Sequence, residues 1–171
     1  MRVLVAYASK MGGTAELAEW LGDALREEGF DVDVRDAEDV VGLVGYRAVV
    51  LGSALYVFRW HRNARRFVRR HRRELEERPL WLFSSGPLDD SATEGDVPPV
   101  RDVRRAMERI AVIDHATFGG RLPADASGFP ARAMAKESAG DWRDPEQVRE
   151  WAREIAAHLH AMEAWSSPAL R

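Results

Sequence analysis

Ser9, Gly12, Gly13 and Thr14 follow directly on a short apolar run, Val3-Leu4-Val5-Ala6-Tyr7. A pair of glycines lets several backbone N–H groups turn toward one point, and the hydroxyls of Ser9 and Thr14 add further hydrogen-bond donors. A helix starting near Thr14 would direct the positive end of its dipole at the same point. These residue types at this spacing suit capture of an anion, a phosphate above all. Two common phosphate loops are excluded, because neither G-x-x-x-x-G-K-[ST] nor G-x-G-x-x-G occurs in this stretch. A ligand-free turn in which Thr14 only caps the helix is the alternative reading.

Other chemistry is narrowed by exclusion. The chain has no cysteine, which removes disulfides, thiolate nucleophiles and cysteine-held zinc or iron–sulfur centres. His158 and His160 share no metal-ligand spacing, while His71 and His115 fall on an apolar stripe and within a strand, where a histidine is an ordinary structural residue. No metal is expected. Arg59, Arg62, Arg65, Arg66, Arg69, Arg70, Arg72 and Arg73 crowd into fifteen residues of a chain whose formal net charge is −3. Such a strip reads as a solvated helix face, or as a surface that draws an anionic substrate, an acidic redox partner or an anionic membrane. Nucleic acid suits it least, since the chain as a whole is acidic and no recognised nucleic-acid-binding fold accompanies the strip. No charged-then-apolar leader opens the sequence, and no apolar run approaches the ~18 residues of a membrane span. The expected location is the cytoplasm, with peripheral contact at the inner face of a membrane left open.

Positioning the phosphate turn takes a sheet. Residues 3–7 and 47–53 are continuous apolar runs, as is Leu80-Trp81-Leu82-Phe83-Ser84-Ser85, and all three read as central strands buried on both faces. Asp31-Val32-Asp33-Val34-Arg35 alternates strictly, and Ile110 to Phe118 carries Asp114, His115 and Thr117, so these read as edge strands. Leu17, Trp20, Leu21, Ala24 and Leu25 predict a helix over 14–28, ended by Gly29. Helical segments are likewise predicted over 37–43, 60–76 and 100–109. Asp144-Pro145 opens a last helix bearing Val148, Trp151, Ala152, Ile155 and Leu159. The stretch 86–99 is too long for a minimal connection and reads as a functional loop.

Five strands alternating with helices, polar only on the second and fifth, predict an α/β fold: a parallel sheet in the order 2-1-3-4-5 with helices on both faces. One domain is expected over residues 1–163, with a flexible tail over 164–171. A chain of this size buries roughly 70% of its unfolded surface. In such a sheet the loops after strands one, three and four meet at the carboxyl edge, where ligands bind.

The turn after strand one resembles the hydroxyl-rich phosphate loop of the flavodoxin family, with Ser9, Gly12 and Thr14 on the pattern and Met11 departing from it by one hydroxyl. Gly52-Ser53-Ala54-Leu55-Tyr56 followed by Arg59-Trp60-His61 is similar to the quinone-linked protoporphyrinogen dehydrogenase branch of that superfamily. Asp141-Trp142, Glu146-Gln147-Val148 and Trp151 to Ala156 resemble that branch's closing helix. Gly119 to Gly140, with Arg132-Ala133-Met134-Ala135-Lys136, stands where the branch carries a longer basic and apolar insert.

The resemblance implies a flavodoxin-like three-layer sandwich that binds FMN and oxidises protoporphyrinogen in haem synthesis, passing electrons to a quinone. Its expected cofactor contacts are Ser9, Lys10, Met11, Gly12, Gly13 and Thr14 around the phosphate. Ala54, Leu55, Tyr56 and Val57 would flank one side of the ring, with Ser84, Ser85, Gly86, Pro87 and Leu88 at its edge or other face. Tyr56 is the stacking candidate, its alternative being a loop aromatic that rests on the next helix. His61 would lie near the ring, or simply start a helix. Two other functions stay open: an electron carrier acting on protein partners, and a regulatory module of the same fold without FMN.

Overall fold

The structure is a computed structural model that describes residues 1–95, 97–126, 133, 135 and 139–166. β1 (Arg2–Ala8) lies between β2 (Asp31–Asp36) and β3 (Ala48–Tyr56), and β5 (Leu80–Ser85) and β6 (Asp114–Phe118) extend the sheet beyond β3. All these pairs are parallel, in the order β2-β1-β3-β5-β6. This is the predicted order once β4 (Arg59–Trp60), a two-residue strand antiparallel to the end of β3, is set aside. β2 and β6 occupy the edges, where their polar patterns place them.

Side chains alternate across the sheet into two cores. Val3, Val5, Val50, Trp81 and Phe83 pack against α1 (Gly13–Glu27) and α6 (Pro145–Ser166) through Leu17, Leu21, Leu25, Trp151 and Ile155. Leu4, Ala6, Val49, Leu51 and Leu82 face α2 (Arg62–Arg70), α3 (Arg72–Glu76) and α5 (Arg101–Met107) through Phe67, Leu75 and Val103. Burial of each such Val, Leu or Phe contributes about 1.5–3 kcal/mol. Gly52 makes room for one of them: a Cβ there would stand 1.9 Å from Phe83 Cζ.

Four expectations about elements need correction. Residues 37–43 form turns, not a helix: Ala37 N–H donates to Tyr7 O and Leu43 N–H to Glu74 Oε1. Val40 and Leu43 are buried one at a time, and their three-residue spacing imitates a helical stripe. The segment 60–76 is a hairpin strand followed by two helices that meet at His71, whose Nδ1 lies 2.7 Å from Glu74 Oε2. The last strand begins at Asp114 rather than Ile110, because Ile110 N–H still bonds Ala106 O at the end of α5. The stretch 86–99 carries a short helix, α4 (Ser91–Glu94). α6 runs through Ser166, and the rest of the expected tail, 167–171, lies outside the described residues. No described helix is long and apolar enough to cross a membrane.

Candidate functional site

The turn after β1 reaches α1 through Gly12, which sits in the left-handed region at φ 80°. Its N–H donates to Ser9 Oγ at 3.0 Å, and its carbonyl accepts from Glu16 N–H to start the helix. Among the described residues no side chain caps α1, so its first-turn N–H groups are available to a ligand. Nothing stands within 4 Å of where a Cβ of Gly12 would be, and Thr14 is buried to 2% exposure beside it. An anionic group fits this turn: the space is open and the first-turn N–H groups of α1 carry no side-chain cap.

The back of the turn is held by residues that periodicity does not reveal. β7 (Arg121–Leu122) and β8 (Gly140–Asp141) pair antiparallel and lie against the first turn of α1. Arg143, its side chain 2% exposed, donates to Gly13 O at 3.1 Å, Glu16 Oε2 at 2.6 Å and Asp141 Oδ2 at 2.7 Å, and its guanidinium lies 4.8 Å from the Trp20 ring centre. A cation at a helix N-terminus opposes the dipole, and the two carboxylates offset it. Hydrogen bonds from Arg143 hold the Asp141 carboxyl below its ordinary range. Gly119 is the sequence signal for this packing, since a Cβ there would stand 1.8 Å from Trp142 O. Of the Arg132–Lys136 segment only Ala133 and Ala135 are described; the others lie outside the described residues.

The loops after β3 and β5 come to the same edge. Tyr56 is half-buried, and its hydroxyl accepts the Lys10 N–H at 3.1 Å, which joins the first loop to the third. Burial pushes the Tyr56 phenol up. His61 packs edge-on against the Tyr56 ring at 5.9 Å and caps α2 by accepting Asn63 N–H; burial lowers its imidazole. Gly86 lets the next loop close on Leu55, because a Cβ there would be 2.5 Å from Leu55 Cβ. Gly86 N–H donates to Phe118 O and Gly120 N–H to Pro87 O. Met11 and Leu88 join Leu122, Ala126 and Ala135 in a small apolar cluster, so Met11 packs where a hydroxyl would be wasted.

The remaining predicted residues divide. Ala54, Ser84 and Ser85 are buried within the strand ends: Ala54 O accepts from His61 N–H, Ser84 Oγ from Trp60 Nε1–H, and Ser85 Oγ donates to Gly119 O. Val57 stands at the hairpin tip with 75% of its surface exposed, next to the exposed Phe58. His115, read from sequence as a plain structural residue, lies 3.0 Å from Ser84 Oγ and is lowered by burial to about 4. Trp60, read as part of a helix face, is instead the inner residue of the hairpin. A separate groove of about 280 Å³ lies by α2, lined by Ala37, Glu38, Asn63, Arg66, Phe67 and Arg70.

A five-stranded parallel sheet with a glycine turn into an uncapped helix at the switch between β1 and β3 defines the class. Residues 4–142 match the flavodoxin domain, and the chain belongs to that family. It is similar to protoporphyrinogen IX dehydrogenase [quinone] of Escherichia coli K12, 27% identical across 93% of this chain and 96% of that enzyme. Its fold is shared by oxidised flavodoxin 1 from Bacillus cereus, with TM-score 0.61, 18% identity and coverage of 92% and 99% of the two chains. Rubredoxin oxygen:oxidoreductase from Desulfovibrio gigas gives TM-score 0.63 at 15% identity, with 94% of this chain matched to 36% of that one. The chain thus spans about a third of that enzyme's length.

Proposed function

We propose that this protein is an FMN-dependent oxidoreductase that oxidises protoporphyrinogen and passes the electrons to a quinone. The observation that carries the reading is the union of the three loops at one edge, through the Lys10 N–H to Tyr56 hydroxyl bond and the contact of Gly86 with Leu55. The similarity to the Escherichia coli enzyme along nearly the whole of both chains supports the substrate. FMN, when bound, supplies the electron chemistry, and the protein supplies binding, orientation and electrostatics. Ser9, Gly12, Gly13, Thr14 and the first-turn amides of α1 hold the phosphate, with Lys10 and Met11 in the same turn. Ala54, Leu55, Tyr56 and Val57 border one side of the ring, and Ser84, Ser85, Gly86, Pro87 and Leu88 its edge. Tyr56, tied to the phosphate turn through the Lys10 N–H, would offer the aromatic face beside the ring.

The arginine face of α2 serves the same reading. Among the described residues Arg62, Arg66, Arg69, Arg70 and Arg73 make no ion pair, whereas Arg59 and Arg65 share Asp102 and Arg72 pairs with Glu76. Arg62, at the start of α2 next to the His61 that packs on Tyr56, stands nearest the crevice and would draw an anionic substrate, such as a porphyrinogen carboxylate, at low ionic strength.

Titration of the purified protein with FMN, followed by assays with protoporphyrinogen and a quinone, tests the proposal. Tight FMN binding is expected, with turnover that falls as salt rises. FMN bound with quinone reduction but no porphyrinogen oxidation would make it an electron carrier for protein partners. A flat salt profile would remove the steering role of α2.

A further inference from the structure

Val57 and Phe58 form the turn between β3 and β4, and both lie in the left-handed region, at φ 50° and 59°. Side-chain-bearing residues avoid that region, a β-branched one most of all, and two-residue hairpin turns of this kind are ordinarily Asn-Gly or Gly-Gly. Neither residue is compensated by burial, since Val57 is 75% and Phe58 83% exposed. The turn must therefore be held from its ends.

One end is β3 itself; the other is a two-residue strand fastened by two buried serines. Ser53 on β3 and Ser84 on β5 are register partners, both under 2% exposed. Ser53 Oγ accepts His61 N–H at 2.9 Å, just beyond the end of β4, and donates to Ala54 O. Ser84 Oγ lies 2.9 Å from Trp60 Nε1 and 3.0 Å from His115 Nε2. An indole N–H only donates, so Ser84 accepts from Trp60, and its second lone pair and its one hydrogen leave it able to pair with either tautomer of His115. A chain of hydrogen bonds runs from the hairpin across β5 to the edge strand β6.

We propose that Trp60, Ser84 and His115 act as a latch of positioning residues that holds the β3–β4 turn in its left-handed form and so fixes where Tyr56 stands at the crevice. His115 suits this task because burial keeps it uncharged at neutral pH, and a neutral ring pairs with the Ser84 hydroxyl in either tautomer. The latch is read from the protein alone; only its consequence for cofactor binding rests on the FMN reading.

Backbone chemical shifts of Val57 and Phe58, measured by NMR on the full chain without FMN, test it in His115→Leu and His115→Gln. Leucine removes the hydrogen-bond partner of Ser84, while glutamine keeps an amide that donates or accepts there. We expect the Leu variant to move both residues' shifts away from their left-handed values, the Gln variant to retain them, and FMN to bind about ten-fold more weakly to the Leu variant only. Wild-type shifts in His115→Leu would overturn the latch, as would equal changes in both variants, which would mark a packing effect. If His115→Leu does not fold, Ser84→Ala applies the same criterion with a smaller change of volume. A wild-type chain that takes up no FMN would defeat the functional reading and leave the shift test of the latch intact.

Discussion

At the carboxyl edge of the sheet, the turn after β1 places glycine at φ 80°, whereas the turn after β3 places Val57 and Phe58 at φ 50° and 59°. The first turn adopts its conformation at no steric cost, and local sequence suffices to specify it. The second opposes its own local preference and depends on Trp60, Ser53, Ser84 and His115, which arrive from β4, β3, β5 and β6, and on His61 at the start of α2. Backbone strain of this kind gathers at working sites. Under the proposed function the contrast is a division of labour: the turn proposed to take the phosphate needs only glycine and a helix end, and the turn proposed to face the ring is set by the sheet.

The largest way to break this contrast is Trp60→Ala, which deletes a side chain only 2% exposed and its hydrogen bond. A loss of about 3–5 kcal/mol in urea unfolding is expected. Loss below 1 kcal/mol would mean that the hairpin is not anchored through Trp60.

The next is a pH effect on His115. Its folded value is about 4 against an ordinary 6.5, so between these values the unfolded chain binds more protons than the folded one. Stability therefore rises with pH through this window; the contribution is complete above about 6.5 and is lost as pH falls to about 4. Asp114, its charged neighbour, pulls the other way. The contribution is at most about 3 kcal/mol, and it should vanish from the difference between pH 7 and pH 4.5 unfolding midpoints in His115→Gln.

Replacing Val57-Phe58 by Asn-Gly relieves the turn and should stabilise the fold by about 2 kcal/mol, read as a higher Tm. Replacing Gly12 by valine has the opposite sign: the space is open, but the left-handed φ remains, at a cost of about 1–2 kcal/mol. The smallest effect expected is that of Thr14→Ala on FMN, about 1 kcal/mol, or roughly a five-fold weaker Kd by fluorescence titration.

The same contrast explains what could be read from the sequence. Apolar runs through β1, β3 and β5 and polar alternation at β2 and β6 are local patterns, and they defined the sheet order. Gly12, Gly13 and Thr14 are likewise local, so a glycine turn leading into a helix is legible at that point. The segment 37–43 was misread because Val40 and Leu43 bury separately at a helical spacing, and Trp60 because its spacing from Ala64 and Phe67 continues a helical stripe that its pairing with Leu55 interrupts. Arg143 and His115 act through residues 130 and 31 positions away, Gly13 and Ser84. No window of sequence contains both partners.

The visible absorption spectrum of the purified protein, before and after addition of FMN, bears most directly on the central claim. The account predicts flavin bands that stay with the protein through gel filtration, and their loss of intensity in the combined Gly12→Val, Thr14→Ala variant. A folded wild-type protein that remains colourless after incubation with FMN would contradict it.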